Sequence, residues 1–359
     1  MMRLNNGQDD TRSLLPEVRP LVSVIIPTYD SARFIADAVR GVLAQTYPCH
    51  EVIVIDDGSR DETAEIVRGL TGPIRYRRQD NRGPAAARNA GIKMARGKYI
   101  CFLDADDLWT PNKLELQVEF MAAHSEIGLL FTDAEEWEDK EILKSSILET
   151  MALHADIVSQ VPIQDAFRKL VMENPIPTSS VMMRKDCFLR TGLFDEDLRV
   201  VGVEDRDMWL RVAANFDIAC LPTILAKKRS HGANISTRTE LMARSRIMVW
   251  EKARRRFPTL APAAVYNKLL ATTYQEIGYI LLARADGSGA RRSGMASLSN
   301  AIRYVVVTKS RFPFRWLLAI GLIPLSFISW PLVRSLWQAR NHVTRRNSPP
   351  GVEVRGTTG

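Results

Sequence analysis

The chain predicts an α/β protein, a mostly parallel sheet flanked by helices with an all-helical C-terminal extension. Three observations carry that expectation. Leu21 to Pro27 (LVSVIIP) and Glu51 to Ile55 (EVIVI) are continuous β-branched runs, the pattern of strands buried on both faces. Between them Phe34, Ile35, Ala38, Val39, Val42 and Leu43 recur at helical spacing. Ile100 to Trp109 (ICFLDADDLW) is an apolar run that breaks into three carboxylates, Asp104, Asp106 and Asp107.

The elements follow in α/β order. Tyr47-Pro48 ends the first helix. The second strand leads through Asp56-Asp57-Gly58-Ser59 into a helix from about Asp61 to Leu70. Asn81-Arg82-Gly83-Pro84 opens a third helix, Ala85 to Ala95; Gly97 closes it, and Lys98 to Leu103 is the next strand. The three carboxylates therefore stand at a strand's C-terminal end, the edge where open parallel sheets bind ligands. Pro111 reads as the first position of the following helix and Asp107 as its cap. The stretch from Phe131 to Pro177 reads as a loop without a signature, and Ser179 to Arg184 and Ile218 to Ala226 as strands with helices between. After Ser236 the pattern is helical, with amphipathic segments Met242 to Phe257, Ala263 to Ala285 and Gly294 to Val307.

Trp316 to Val333 is uncharged and flanked by Arg311, Arg315 and Arg334. It falls short of the about 20 residues a membrane span needs, and Pro324 and Pro331 weaken a spanning helix further. Trp316, Trp330 and Trp337 suit a helix pair lying in one leaflet; the competing reading is a buried core helix. Residues 1–20 lack the apolar core of a signal peptide and, like 341–359, read as disordered. The divisions expected are thus 1–20, a catalytic domain 21–236, a helical extension 237–310, an apolar segment 311–340 and a tail 341–359.

The 359 residues carry a net charge of +8, unevenly spread: Lys227 to Arg346 holds 22 Lys and Arg against four acids. Such a basic part implies an anionic partner, a membrane surface or nucleic acid. The cations are interleaved with apolar helical positions and no nucleic-acid motif is present, so the membrane is favoured. Cys49, Cys101, Cys187 and Cys220 are too scattered for a zinc site or a disulfide framework, which suits a reduced, cytoplasmic setting.

Carboxylates at the end of a buried strand lose hydration unless a cation or hydrogen-bond donors replace it. Closely spaced oxygen ligands suit Mg2+ or Mn2+, and the usual anionic partner of such an ion is a phosphate. In isolation the same DADD also reads as a solvated acidic turn.

Several separated motifs coincide with one family. VSVIIPTYD (Val22 to Asp30), EVIVIDDGSRDET (Glu51 to Thr63), NRGPAAARNAGI (Asn81 to Ile92) and FLDADD (Phe102 to Asp107) resemble the donor half of family 2 glycosyltransferases of the GT-A fold. TGLFDEDLRVVGVEDRDMWLR (Thr191 to Arg211) resembles the acceptor half. The resemblance implies that Thr28 and Tyr29 contact the nucleoside, Asp57 the base edge and Asp104 the ribose. Asp106 would ligate the metal on the diphosphate, and His231, in RSHGANIS, would complete that site. A carboxylate at the base suits uracil, hence a UDP-sugar. Asp205 would be the general base, which implies inversion, with Glu204 and Asp207 binding the acceptor or orienting the loop. Arg88 has two readings, a donor contact or a structural ion pair, and Asp57 has a second one as an Asx turn with Ser59.

No Gln-x-x-Arg-Trp element follows, which argues against a processive synthase. The expected acceptor is a hydroxyl of a glycan or lipid-linked saccharide at the cytoplasmic face of the plasma membrane, the protein being peripheral or monotopic there. Two alternatives stand beside it: a polyprenyl-phosphate glycosyltransferase, whose acceptor needs no strong base, and a non-catalytic protein that binds sugar nucleotides or docks on membranes.

Overall fold

The computed structural model describes residues 19–48, 50–138, 141–198, 202–232, 239–283 and 299. Apart from residues 19, 20 and 299, the expected disordered termini and the Gly294 to Val307 helix lie outside these residues, as does the whole Trp316 to Val333 run.

The elements are β1 (Val22–Thr28), α1 (Ile35–Leu43), β2 (His50–Asp56), α2 (Thr63–Arg68), β3 (Ile74–Arg78), α3 (Pro84–Met94), β4 (Tyr99–Phe102), β5 (Leu108–Trp109), α4 (Lys113–Ala123), β6 (Ile127–Glu138) and β7 (Glu141–Lys144). They continue as α5 (His154–Val158), α6 (Ala166–Met172), β8 (Met182–Arg184), α7 (Phe188–Thr191), α8 (Glu204–Ala213), β9 (Asp217–Arg229), α9 (Thr239–Arg256) and α10 (Ala263–Ala283).

The strands form one sheet in the order β3-β2-β1-β4-β8-β6-β9-β5, with β7 paired to β6. β3, β2, β1, β4, β6 and β9 point one way, and β8, β5 and β7 run against them. The two-residue period of each strand sends alternate side chains to two cores. Val24, Val52, Val54 and Cys101 meet α1 and α4 on one face. Ile25, Ile53, Ile55, Phe102 and Phe131 meet α3, α8 and α9 on the other. Helices on both faces make the continuous apolar runs of β1 and β2 necessary, since neither face sees water.

Two expectations are corrected. The span from Phe131 to Pro177 is not a loop: it carries most of β6, then β7, α5 and α6, and β6 pairs with β9 along nearly its whole length. Pro111 is not the first helical residue, because α4 starts at Lys113.

Candidate functional site

The acidic motifs gather where β1, β2 and β4 end. Thr28 closes β1, and its carbonyl accepts the Asp57 N–H at 2.8 Å, joining the first two strand ends. Thr28 is buried and its hydroxyl has no hydrogen-bond partner among the described residues, while Tyr29 beside it is exposed.

Asp56 and Asp57 divide their work. Asp56 accepts the Ser59 N–H at 2.8 Å and the Tyr76 hydroxyl at 2.6 Å. Burial opposes its ionisation, but these donors outweigh that and hold its carboxyl below the usual range. The Asx turn with Ser59 thus belongs to Asp56, not to Asp57. The Asp57 carboxylate instead accepts from Gly83 N at 2.7 Å, Arg82 N at 3.0 Å and Gln79 Nε2 at 2.8 Å. It fixes the loop that opens α3, where Gly83, at φ 87°, turns the chain into a helix begun by Pro84.

Arg88 projects from α3 and is buried. Its Nη2 donates to Asp104 Oδ1 at 2.8 Å and its Nη1 to Glu204 Oε1 at 2.6 Å. One guanidinium thus spans an acid after β4 and an acid on the first turn of α8, and despite burial those two charges keep it cationic. The other Glu204 oxygen, Oε2, is buried without a hydrogen-bond partner among the described residues.

Asp106 lies 2.9 Å, Oδ2 to Nε2, from His231, which stacks on Phe34 with ring centroids 5.0 Å apart. Burial, and then the charge of Asp104, push the Asp106 carboxyl above its usual range; His231 opposes the shift. Asp107 is pushed up as well, by burial and by its two acidic neighbours. It does not cap α4: it accepts Ser179 Oγ at 2.6 Å and Arg229 N at 2.9 Å, tying β9 to the acidic turn.

Asp205 is half-buried beside Glu204. Its Oδ2 accepts Thr178 Oγ1 at 3.3 Å and its Oδ1 accepts Arg206 N at 2.6 Å. Its carboxyl is pushed up to about 6, first by burial and then by the Glu204 charge, against the pull of Arg88. Asp207, two residues on and so across the helix, pairs with Arg211 at 2.8 Å. Arg211 Nη1 in turn donates to the carbonyls of Thr191 and Leu193. Asp207 therefore faces away from Asp205, and through Arg211 it holds the chain leading into the Asp195–Glu196 turn.

Sequence reasoning missed the turn Thr178–Ser180, reading Ser179 as the start of a strand. Ser179 touches Asp104 N and Asp107, and Thr178 touches Asp205, so this short turn joins the two acidic segments. Arg229 was missed too: its guanidinium lies 4.1 Å from the Trp137 ring and 4.8 Å from Phe34, and its Nε donates to the Asp106 carbonyl at 3.0 Å. Neither has a sequence signal beyond a buried run of small polar residues and an arginine next to a noted histidine.

Asp106 and His231, 2.9 Å apart, are close enough to share an ion. Among the described residues no cluster of three or more His, Cys, Asp or Glu side chains is arranged as a metal site. An oxygen and a nitrogen donor beside crowded, mutually repelling carboxylates would suit a divalent ion such as Mg2+ or Mn2+, which would supply positive charge there. No helix among the described residues is long and apolar enough to cross a membrane.

Residues 23–186 match the model of "Glycosyl transferase family 2". An uncharacterized glycosyltransferase of Rickettsia prowazekii is 31% identical over 62% of this chain and 67% of its own length. One from Rickettsia felis is 36% identical over 59% of this chain and 33% of its own, so the chain spans about a third of that relative. TuaG of Bacillus subtilis, named for teichuronic acid biosynthesis, is 42% identical over 30% of this chain and 44% of its own. Among solved structures, residues 1–349 of S. aureus TarS with UDP-GlcNAc align with a TM-score of 0.58 at 17% identity, over 79% of this chain and 81% of that one. The Pyrobaculum calidifontis mannosyltransferase PcManGT, solved with GDP-Man and Mn2+, aligns with a TM-score of 0.56 at 20% identity, over 92% and 88%. The fold is that of the GT-A glycosyltransferases, and the chain belongs to glycosyl transferase family 2.

Proposed function

We propose that the protein is an inverting glycosyltransferase that moves a sugar from a UDP-linked donor to a hydroxyl of a glycan or lipid-linked saccharide. The observation that carries this is the Arg88 bridge. It brings Asp104, at the end of β4, within one guanidinium of the Glu204–Asp205 pair, so that donor and acceptor groups can meet.

In this reading the nucleoside lies against Thr28 and Tyr29, with Asp57 at the base and Asp104 at the ribose. The buried, unpartnered Thr28 Oγ1 and Glu204 Oε2 are atoms that bound substrates can satisfy. Asp106 and His231 would hold Mg2+ or Mn2+, which when bound supplies positive charge to the leaving diphosphate. Arg88, kept cationic, adds positive charge at the same edge.

Asp205 accepts the acceptor's proton as its hydroxyl attacks the anomeric carbon from the face opposite the leaving group. A carboxylate whose pKa lies near 6 is ionised at neutral pH yet more basic than an ordinary aspartate. That favours a hydroxyl acceptor over a polyprenyl phosphate, which needs no such base. The carboxylates present at Asp104, Asp106 and Asp205 argue against a non-catalytic binder.

The TuaG relative supports an envelope polysaccharide as destination. The basic extension supports a peripheral position on an anionic membrane at its cytoplasmic face. Transfer assays with a panel of nucleotide sugars and product anomer analysis test the reading. A product that retains the donor's anomeric configuration would remove Asp205 from its role.

A further inference from the structure

Away from the acidic cluster, between α8 and α9, lies a cavity of about 600 Å³. Its floor is the buried Arg211–Asp207 pair, and Lys252, Arg255 and Arg256 from the last turns of α9 stand around it. Leu193, Leu210 and Phe257 add apolar wall. Four cations thus line it against two carboxylates, Asp195 and Asp207, and both carboxylates are already paired, with Lys252 and Arg211. Arg255 and Arg256 are exposed and carry no ion pair among the described residues.

We propose that this cavity receives the phosphate ester headgroup of an anionic lipid. The surplus cations select an anion. Arginine forks match phosphate oxygens bidentately, and the apolar wall receives the non-ionic part of a headgroup. The volume falls within the roughly 300–1,000 Å³ of small-ligand sites, more than an inorganic anion fills. Position favours a lipid over a soluble phosphate: the cavity opens on the helical extension, in the basic part of the chain whose excess of cations suits a membrane surface. The proposal rests on the membrane-facing part of the reading above and is independent of the chemistry at Asp205. Because α8 carries Asp205 at one end and Arg211 near the other, a lipid bound here would set the acceptor side of the enzyme at a fixed depth over the bilayer.

The test is flotation of the full chain with phosphatidylglycerol-containing vesicles against pure phosphatidylcholine, with inorganic phosphate alone as a separate titration. Arg254 is the internal control, because it has the same charge on the same helix but does not line the cavity and donates to Asn267 Oδ1 at 3.0 Å. R255Q and R256Q should each weaken binding to the anionic vesicles about tenfold or more, and R254Q no more than the roughly fivefold expected of any surface charge near a membrane. Donor hydrolysis should be unchanged in all three. Equal losses in the three variants would overturn the cavity while leaving a basic membrane surface. No binding of the wild type to anionic vesicles would overturn both. Inorganic phosphate bound as tightly as the vesicles, and lost in R255Q and R256Q, would overturn the lipid source.

Discussion

At the scale of the residue, the site turns on two buried ionic arrangements. Asp205 pays for its position: in the folded protein its carboxyl sits near 6 against an ordinary value of 3.8, so the ionised form is disfavoured by the fold. That cost is absent below about pH 4 and fully present above pH 6. Asp205→Asn should therefore stabilise the protein at pH 8, by on the order of 3 kcal/mol at most, and leave it unchanged at pH 4. Urea unfolding at the two pH values checks this. The same variant should lower transfer by about 10²- to 10⁴-fold while nucleotide binding persists. In the wild type, turnover should rise with pH through a single ionisation near 6, as the base loses its proton. Arg88 behaves in the opposite way. Arg88→Ala strands Glu204, which is 3% exposed, and should cost about 3–5 kcal/mol in denaturant unfolding, whereas R88M/E204M should recover most of the loss.

At the scale of the element, α3 is placed by a glycine. A methyl group on Gly91 would lie 2.4 Å from Ile25 Cγ2, so α3 rests directly on β1 only because position 91 has no side chain. Gly91→Ala should force α3 outward and cost about 1–3 kcal/mol. Since Arg88 lies one turn earlier, transfer should fall more than folding does, which a thermal melt set beside an activity assay will resolve. This scale also separates what was legible in the sequence from what was not. β1, β2, β4 and the helices between them announced themselves, because strands buried on both faces must be apolar throughout. β6 did not, although it is one of the longest strands. Its outer half, Asp133 to Glu138, is rich in acids, and Asp133 is accommodated only because Ser146 Oγ and the N–H groups of Ala134 and Leu148 bond its carboxylate. Such compensation arrives from distant sequence and leaves no local pattern. The turn at Thr178 to Ser180 was hidden for the same reason: its importance lies in touching Asp104, Asp107 and Asp205, none of them near it in the chain.

At the scale of the whole molecule, the chain is a GT-A domain with a basic helical extension packed against it, α9 and α10 joining α8 and α6 in one core. Each acid of the candidate site was visible as a residue, but its partner was not. The pairing of Asp106 with His231 joins positions far apart in sequence, and the Arg88 bridge joins the two halves of the domain. The metal-assisted transfer from a nucleotide sugar proposed above rests on that assembly. It is tested most directly by nucleoside diphosphate release from a panel of nucleotide sugars, with Mn2+ present, after chelation, and after Mn2+ is restored. Release from a UDP-sugar is expected, lost on chelation and recovered with the metal. A protein that turns over no nucleotide sugar, or whose turnover is indifferent to chelation, would contradict it.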